Sequence, residues 1–243
     1  MFTLNSVCKS FGALQVLKPT TLRFATGDST VLIGPSGCGK STLLRILIGL
    51  LTPDKGTVEF DGTPLAPSNI LVQRRRMGYV IQDGGLFPHL TAKQNVGLLA
   101  SYLGWDEPKV DARVRELADL TRLPHSALDR YPIQMSGGQR QRVGIMRALM
   151  LDPPVILLDE PMGALDPLVR FDLQEDLRNI FRTLKKTAIM VTHDMGEAAF
   201  FGDRVLLLSD GEIVQEGRLQ DLIDRPANDY VTRFINAQRI PHT

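Results

Sequence analysis

The sequence predicts an α/β fold, and three features indicate this class. Largely apolar runs at residues 31–33, 155–158 and 187–192 are each followed by polar residues or glycine. Such runs are typical of strands buried on both faces of a sheet. Segments 57–65 and 205–215 contain Asp-Gly turns that predict antiparallel hairpins, and residues 91–150 have mainly helical periodicity. We therefore predict a mixed core sheet, an antiparallel β subdomain and an inserted helical subdomain.

Composition limits the possible classes of function. The 243 residues are 43% hydrophobic with a net charge of +1, which allows a buried core and gives no broad basic field for nucleic acid. The two cysteines, Cys8 and Cys38, form neither a disulfide framework nor a zinc motif, so a reducing compartment fits. The sequence has no apolar run of the roughly 18 residues that a membrane span needs, and we expect no signal peptide. A membrane function would depend on other chains.

The segment after the strand predicted at residues 29–33 fits a phosphate-binding loop. It matches the pattern G-x-x-x-x-G-K-[ST] between a strand and a helix, with the residues Gly34, Pro35, Ser36, Gly37, Cys38, Gly39, Lys40, Ser41 and Thr42. Glycines let backbone N–H groups converge on phosphate oxygens, and the helix adds the positive end of its dipole. We expect Lys40 to contact the β- and γ-phosphates, Ser41 to bind Mg²⁺ and Thr42 to support the α-phosphate. The alternative is a glycine-rich turn without chemistry.

Polar side chains follow two other predicted strands. Asp159 and Glu160 come after residues 155–158, and His193 comes after residues 187–192. Because ligands of α/β sheets bind at the carboxyl ends of the strands, we expect these side chains at the phosphate site. Asp159 would hold the Mg²⁺ shell, Glu160 would polarise the attacking water and His193 would contact the γ-phosphate. The alternatives are a helix N-cap for the carboxylates and a structural role for the histidine.

Three further segments carry weaker patterns. Phe11 is predicted in a loop ahead of the phosphate site, where it is either a core or turn aromatic or a contact of a ligand. Gln82 ends the strand predicted at residues 77–82, before a turn at residues 83–85. A helix N-terminus with exposed glycine amides, suited to an anion, is formed by Ser136, Gly137, Gly138 and Gln139. Residues 136–139 would be a second phosphate-binding segment, but they include no lysine. We therefore expect this segment to complete the phosphate site of another copy of the chain.

In order and spacing these segments resemble the ATP-binding subunits of ABC transporters, in which two cassettes dimerise head to tail around two ATP molecules. The resemblance covers nearly the whole chain and implies a P-loop NTPase fold of the ABC ATPase type. It implies that residues 34–42 are the Walker A loop, Gln82 the Q-loop glutamine and a metal contact, residues 155–160 the Walker B strand and 136–139 the signature motif. It also implies that residues 163–166 are the D-loop, which ends at Asp166, that His193 is the switch histidine and that Phe11 stacks on adenine.

The resemblance also implies an organisation and a set of partners. Residues 1–243 would form one ABC ATPase domain, with residues 1–86 and 152–243 as the catalytic core and β subdomain and about 87–151 as the helical subdomain. ATP and Mg²⁺ would be the cofactors. The partners would be a second copy, permease subunits and a solute-binding protein, at the cytoplasmic face of the plasma membrane. The loop at residues 82–89 would transmit closure to the permease.

Two positions depart from the family pattern. Met135 stands where leucine is usual, and we expect little effect because the two side chains have similar volumes. Gly163 stands where serine is common, which removes a hydroxyl close to Asp166. We still expect Asp166 to contact the second copy, with less support from the pattern than the family's serine would give.

Residues 77–89 and 225–231 are similar to those of importer ATPases for glycine betaine, choline or carnitine. We therefore expect a quaternary-amine solute, and no regulatory tail after Thr243. Three alternatives stay open. The first is an importer of another solute, such as polar amino acids. The second is a soluble ABC ATPase of translation or DNA repair, which usually has two cassettes or a coiled-coil insertion. The third is a small-molecule kinase, which leaves residues 136–139 unexplained.

Overall fold

The computed structural model describes residues 1–82, 84–163 and 165–238. The strands in these ranges are β1 (Phe2–Phe11), β2 (Leu14–Phe24), β3 (Ser29–Ile33), β4 (Lys55–Phe60), β5 (Thr63–Pro64), β6 (Met77–Val80), β7 (Val155–Asp159), β8 (Thr187–Val191), β9 (Arg204–Ser209) and β10 (Glu212–Gly217). The α-helices are α1 (Lys40–Leu47), α2 (Ile70–Arg74), α3 (Ala92–Tyr102), α4 (Glu107–Leu120), α5 (Gly137–Leu149), α6 (Pro167–Leu184), α7 (Met195–Phe201), α8 (Leu219–Asp224) and α9 (Asp229–Gln238). None of these helices is long and apolar enough to cross a bilayer.

The chain divides into two compact units. The first unit contains residues 1–73 and 187–243, and the second contains residues 74–186. The second unit therefore includes the predicted helical subdomain together with β6, β7 and α6. The assignment of residues 1–86 and 152–243 to a catalytic core stays a prediction.

The first unit contains strands of both pairing types. Four strands form an antiparallel sheet in the order β2-β1-β4-β5, which is the predicted β subdomain. Strand β3 pairs in parallel with β8 on one side and β9 on the other, and β10 joins β9 as an antiparallel edge strand. From Thr30 to Ile33 every residue of β3 is buried, as the apolar run predicts for a central strand.

The second unit combines a parallel strand pair with the predicted helices. Strands β6 and β7 run parallel, with Val80 opposite Leu158. Helix α5 packs against α3, α4 and β6. The helical periodicity of α4 is confirmed, because its apolar stripe of Val110, Val114 and Leu117 is buried.

Some predicted elements differ from the structure. Strands β1 and β2 form a long hairpin that includes Phe11, paired with Leu14, so the prediction of a loop at Phe11 is wrong. Register shifts between Leu4 and Ser10 interrupt the alternation of buried and exposed side chains, which hides the strand in the sequence. Helices α2 and α7 were not predicted. The predicted turn at residues 83–85 and the predicted D-loop include Asp83 and Ala164, which lie outside the described residues, as does the C-terminal segment 239–243.

Candidate functional site

The phosphate loop packs its backbone directly against two strands. Gly34, Gly37 and Gly39 have φ angles of 147°, 81° and 106°. A Cβ atom at Gly34 would lie 2.1 Å from the carbonyl oxygen of Leu208 on β9, and one at Gly39 would lie 2.6 Å from that of Val16 on β2. No side chain fits at these distances, so both positions need glycine for space as well as for their φ angles.

Lys40 places its charge inside the loop. The residue is 6% exposed, and its Nζ donates hydrogen bonds to the carbonyl oxygens of Gly34 at 2.8 Å and Pro35 at 2.9 Å. A buried ammonium group needs oxygen partners of this kind. Residues 35–37 form the exposed crest of the loop. The loop therefore holds a positive charge directly below a surface that a phosphate group can reach.

The N-terminus of α1 fits an anion. Its N-cap residue is Gly39, which makes no side-chain hydrogen bond, and the first turn carries no acidic residue. By contrast, Ser136 and Asp166 cap the helices that follow them with their own side chains. An N-terminus without a side-chain cap leaves the positive end of the helix dipole for a ligand. With Lys40 it forms the donor set that a nucleotide phosphate needs.

Cys38 is a buried thiol within this loop. It is 5% exposed, and its Sγ lies 3.8 Å from Lys40 Nζ. Burial raises the pKa of the Cys38 thiol, and the charge and hydrogen bonds of Lys40 offset part of this effect. The thiol is therefore held in its neutral, unreactive form.

His193 leaves the sheet at the same edge as the phosphate loop. Strands β3 and β8 are parallel neighbours, with Leu32 opposite Val191. Gly34 and His193 each follow two residues later, so both lie beyond the carboxyl ends of adjacent strands. This is the edge at which ligands of α/β sheets bind.

The turn that carries His193 is fixed by its neighbours. The hydroxyl of Thr192 donates to the Glu197 carboxylate at 2.5 Å, and the Asp194 backbone N–H donates to the Thr192 hydroxyl at 3.0 Å. Asp194 also caps α7 by accepting from the backbone N–H groups of Gly196 and Glu197. His193 itself is exposed. These hydrogen bonds therefore hold the turn from which the exposed His193 emerges.

Phe11 lies on the β1–β2 hairpin. Its ring is 48% exposed, and Lys9 Nζ lies 5.7 Å from the ring centroid. The same hairpin contributes Val16, whose carbonyl group packs against the phosphate loop. An exposed aromatic ring on this hairpin is available for stacking.

In the second unit, Gln82 and the two carboxylates leave one edge of a strand pair. Val80 lies opposite Leu158 in parallel strands, and Gln82 and Glu160 each follow two residues later. Asp159 is 7% exposed, and its carboxylate accepts a hydrogen bond from the Tyr79 hydroxyl at 3.4 Å. Gln82 is exposed. The amide and the carboxylates therefore belong to one edge of this unit.

The candidate metal ligands fit Mg²⁺ rather than an ion held by protein alone. Ser41, Gln82 and Asp159 offer one hydroxyl, one amide and one carboxylate oxygen. The described part of the chain contains no group of three or more His, Cys, Asp or Glu residues that could hold a metal ion. Mg²⁺ is usually bound by one or two carboxylates together with water and substrate phosphates. The side-chain chemistry of the three residues matches that pattern. Ser41, in the first unit, and Gln82 and Asp159, in the second, stay predicted ligands.

The segment at residues 136–139 begins α5 with a capping box. The Ser136 hydroxyl accepts from the Gln139 backbone N–H at 3.2 Å, and the Gln139 side-chain oxygen accepts from the Ser136 backbone N–H at 3.1 Å. The serine hydroxyl still has its own hydrogen to donate. The prediction of exposed glycine amides is wrong for Gly138, which is buried. A Cβ atom there would lie 2.4 Å from Val169 Cγ1, so close packing against α6 requires this glycine.

Glu160 and the start of α5 line one cavity of the second unit. The cavity has a volume of about 390 Å³ and is lined by Gly137, Arg140, Gln141, Glu160, Pro161, Gly163 and Leu165. Glu160 has a left-handed φ of 46°, which is uncommon for a residue other than glycine. A Cβ atom at Gly163 would lie 3.6 Å from the Glu160 carboxylate, an ordinary contact distance, so the serine that is usual there would fit. Asp166 is the N-cap of α6 and accepts from the Val169 backbone N–H.

Sequence reasoning missed Asn95, which holds the loop after Gln82. Asn95 is fully buried, and its Oδ1 accepts from the Phe87 backbone N–H at 2.8 Å. Its Nδ2 donates to the carbonyl oxygens of Phe87, Leu90 and Thr91 at 3.0–3.1 Å. The one sequence pattern that could have indicated this role is a polar residue next to Val96 on the buried face of α3.

Comparisons with known proteins agree with this geometry. The family model described as "ABC transporter" matches residues 17–163. The choline transport ATP-binding protein of Bacillus subtilis is 43% identical over 241 residues, which are 99% of this chain and 63% of that protein. The glycine betaine uptake system ATP-binding protein of Escherichia coli is 42% identical over 240 residues, 99% of this chain and 78% of that protein. The chain thus spans less than two thirds of the Bacillus relative.

Solved structures agree as well. A dimeric ATP-binding cassette in a post-hydrolysis state, bound to ADP and Pi, matches with a TM-score of 0.83 and 35% identity over 90% of this chain and 99% of that chain. A component of an ABC transporter complex from Clostridium perfringens matches with a TM-score of 0.84 and 26% identity over 98% of this chain and 94% of that chain. The predicted fold class is confirmed, and the chain belongs to the ABC transporter family.

Proposed function

We propose that this chain binds and hydrolyses ATP as the energising subunit of an importer for a small solute. The observation that carries the proposal is the phosphate loop. It combines the buried Lys40, the N-terminus of α1 without a side-chain cap, and the exposed residues 35–37. This donor set suits the phosphates of a nucleotide. The relatives named above are themselves described as transport ATP-binding proteins, which supports the importer role.

Two copies would form the working unit. Lys40 of one copy would hold the β- and γ-phosphates, and the Ser136 hydroxyl of the second copy would donate to the γ-phosphate from the start of α5. Ser136 is exposed and keeps one hydrogen to donate, as this role requires. A dimeric cassette among the matched structures supports a paired arrangement.

The proposed chemistry assigns one task to each polar residue. Glu160 would orient and polarise the attacking water, His193 would contact the γ-phosphate, and Phe11 would stack on the adenine. Ser41, Gln82 and Asp159 would hold Mg²⁺. When bound, Mg²⁺ neutralises charge on the β- and γ-phosphate oxygens. The loop from Gln82 to His89 would pass closure to permease subunits at the cytoplasmic face of the membrane.

The Glu160→Gln variant tests the hydrolytic role. It keeps the size of the side chain but cannot accept a proton, so we expect it to bind ATP and to accumulate as a dimer in size-exclusion chromatography. Glu107→Gln is the matched control, because it makes the same change on an exposed helix face and should hydrolyse ATP like the wild type. A Glu160→Gln protein that stays monomeric with ATP and turns over at the normal rate would contradict the proposal.

We further propose a quaternary-amine osmoprotectant, such as glycine betaine, choline or carnitine, as the solute. The names of the relatives support this class. Sulfate/thiosulfate import ATP-binding proteins are also 42–43% identical, so the assay must include both chemistries. The test is affinity purification from membranes, which should recover a permease and a solute-binding protein. Binding of choline or betaine by that protein supports the proposal, and binding of sulfate or of a polar amino acid overturns the solute class.

A further inference from the structure

Gly84 and Gly85, which begin the loop at residues 84–90, lie close to α5. Gly84 and Gly85 have left-handed φ angles of 73° and 54°. A Cβ atom at Gly144 of α5 would lie 3.0 Å from the Gly84 Cα, and one at Gly84 would lie 2.9 Å from the Arg140 carbonyl oxygen. Gly84 has no room for a Cβ atom and one at Gly144 would press on Gly84, so the loop and the helix fit each other closely.

Arg147 of α5 fastens this contact. Its Nη2 donates to the Gly84 carbonyl oxygen at 2.8 Å, and its Nη1 donates to the Gly85 carbonyl oxygen at 2.9 Å. The planar guanidinium matches two successive carbonyl groups with two hydrogen bonds, which a lysine ammonium on a flexible stem does less well. Burial lowers the pKa of Arg147, because desolvation costs the charged form free energy. The two carbonyl oxygens offset that cost.

The strand before Gln82 is fixed to the same helix. A Cβ atom at Gly78 of β6 would lie 2.7 Å from the Ala148 carbonyl oxygen of α5. Gly78, four residues before Gln82, and Gly84, two residues after it, therefore both lie directly against α5. Helix α5 begins at Gly137, directly after Ser136. Arg147 lies eleven positions after Ser136, which is about 16 Å along the helix.

We infer that Arg147 is a positioning residue that fastens the loop after Gln82 to α5, so that Gln82 and Ser136 of one copy move as one body. The inference rests on the proposed function, in which Gln82 serves the copy's own nucleotide and Ser136 serves the nucleotide of the second copy. Filling one site then moves the serine that completes the other site. An α-helix is stiff over three turns, so it can carry this displacement.

Arg147→Met tests the inference, because methionine keeps much of the length and removes both hydrogen bonds. We expect the loop at residues 84–90 to exchange amide hydrogen about tenfold faster by mass spectrometry, including the Gly84 N–H that donates to Ile81. We also expect kcat for ATP to fall about tenfold with KM within about twofold, since the phosphate loop is unchanged. Arg147→Lys should restore part of both, because one ammonium can serve one carbonyl.

Two further variants make the result specific. Gly144→Ala presses on Gly84 from the helix side and should also speed loop exchange and lower kcat, without touching the arginine. Arg115→Met makes the same chemical change on the exposed face of α4 and should alter neither measurement. Unchanged loop exchange in Arg147→Met would overturn the tether, and faster exchange with normal kcat would overturn the coupling. A wild-type protein without ATPase activity would refute the proposed function instead, while the exchange measurement would still test the tether.

Discussion

Gly138 offers a direct test of whether the second glycine of the 136–139 segment serves packing or phosphate approach. In Gly138→Ala the new Cβ would lie 2.4 Å from Val169 Cγ1. Carbon atoms are in favourable contact at about 3.5–4.0 Å, so the helices must separate by roughly 1.1–1.6 Å or the valine must move. A β-branched side chain in a helix has essentially one χ1 rotamer, so Val169 cannot simply rotate away. Overpacking of this kind costs about 1–3 kcal/mol.

The double variant separates the two explanations. Val169→Ala removes both γ-carbons and, for a half-buried valine, should cost about 1 kcal/mol by itself. If the clash with Val169 accounts for all the stability that Gly138→Ala loses, the double variant should be about as stable as Val169→Ala alone. The double variant would then be about 1–3 kcal/mol more stable than the sum of the two single changes predicts. Urea denaturation of the four proteins measures this. The ATPase rate should recover in the double variant as well.

Either of two results would refute the claim that Gly138 serves packing alone. Gly138→Ala could be as stable as the wild type, which would mean that α5 and α6 do not meet as described. Alternatively, stability could recover in the double variant while ATPase activity does not. In that case a Cβ at residue 138 obstructs the nucleotide itself, and the glycine is needed for phosphate approach.

Three further predictions concern other parts of the chain. Burial raises the pKa of the Cys38 thiol, so iodoacetamide at pH 7.5 should label it at least about tenfold more slowly in the native protein than in urea. Mass spectrometry measures the two labelling rates, and equal rates would contradict the prediction. Hydrogen bonds from Lys9 and Ser10 lower the pKa of Asp54, so Asp54→Asn should be less stable than the wild type at neutral pH. The difference in melting temperature between the two proteins should shrink as the pH falls through the folded-state pKa of Asp54. Protonation then removes the same interaction from the wild type. A difference independent of pH would refute this. Asn95→Ala removes four part-buried hydrogen bonds, three of which share the two N–H groups of Nδ2. It should lower the unfolding free energy by about 2–4 kcal/mol in urea titrations, and a loss under about 1 kcal/mol would be inconsistent with the contacts described.

Local sequence was enough to predict the phosphate loop, because the pattern names its glycines, its lysine and its flanking elements together. The order of apolar runs and polar ends also predicted β7 and β8, at or after whose ends Asp159, Glu160 and His193 lie. These features depend on residues that are close in sequence. The strand-helix-strand order then limits where each side chain can emerge.

Features that depend on distant backbone groups could not be predicted. Arg147 and Asn95 bind carbonyl oxygens, which every residue carries, so no partner side chain indicates their role. The need for glycine at 138 arises from Val169, which is 31 positions away in the chain. The long β1–β2 hairpin was missed because its register shifts disturb the alternation from which a strand is recognised.

The central claim is that each catalytic site combines the phosphate loop of one copy with the Ser136 segment of the other. Lys40→Ala and Ser136→Arg should each be inactive alone, and mixing them tests the claim directly. In a random equimolar mixture half of the dimers are mixed, and each mixed dimer has one intact site. The ATPase rate should therefore rise above the sum of the two variants, up to about one quarter of the wild-type rate if the two sites act independently and less if they are coupled. A mixture with no more activity than the sum of the two variants measured separately would contradict the claim.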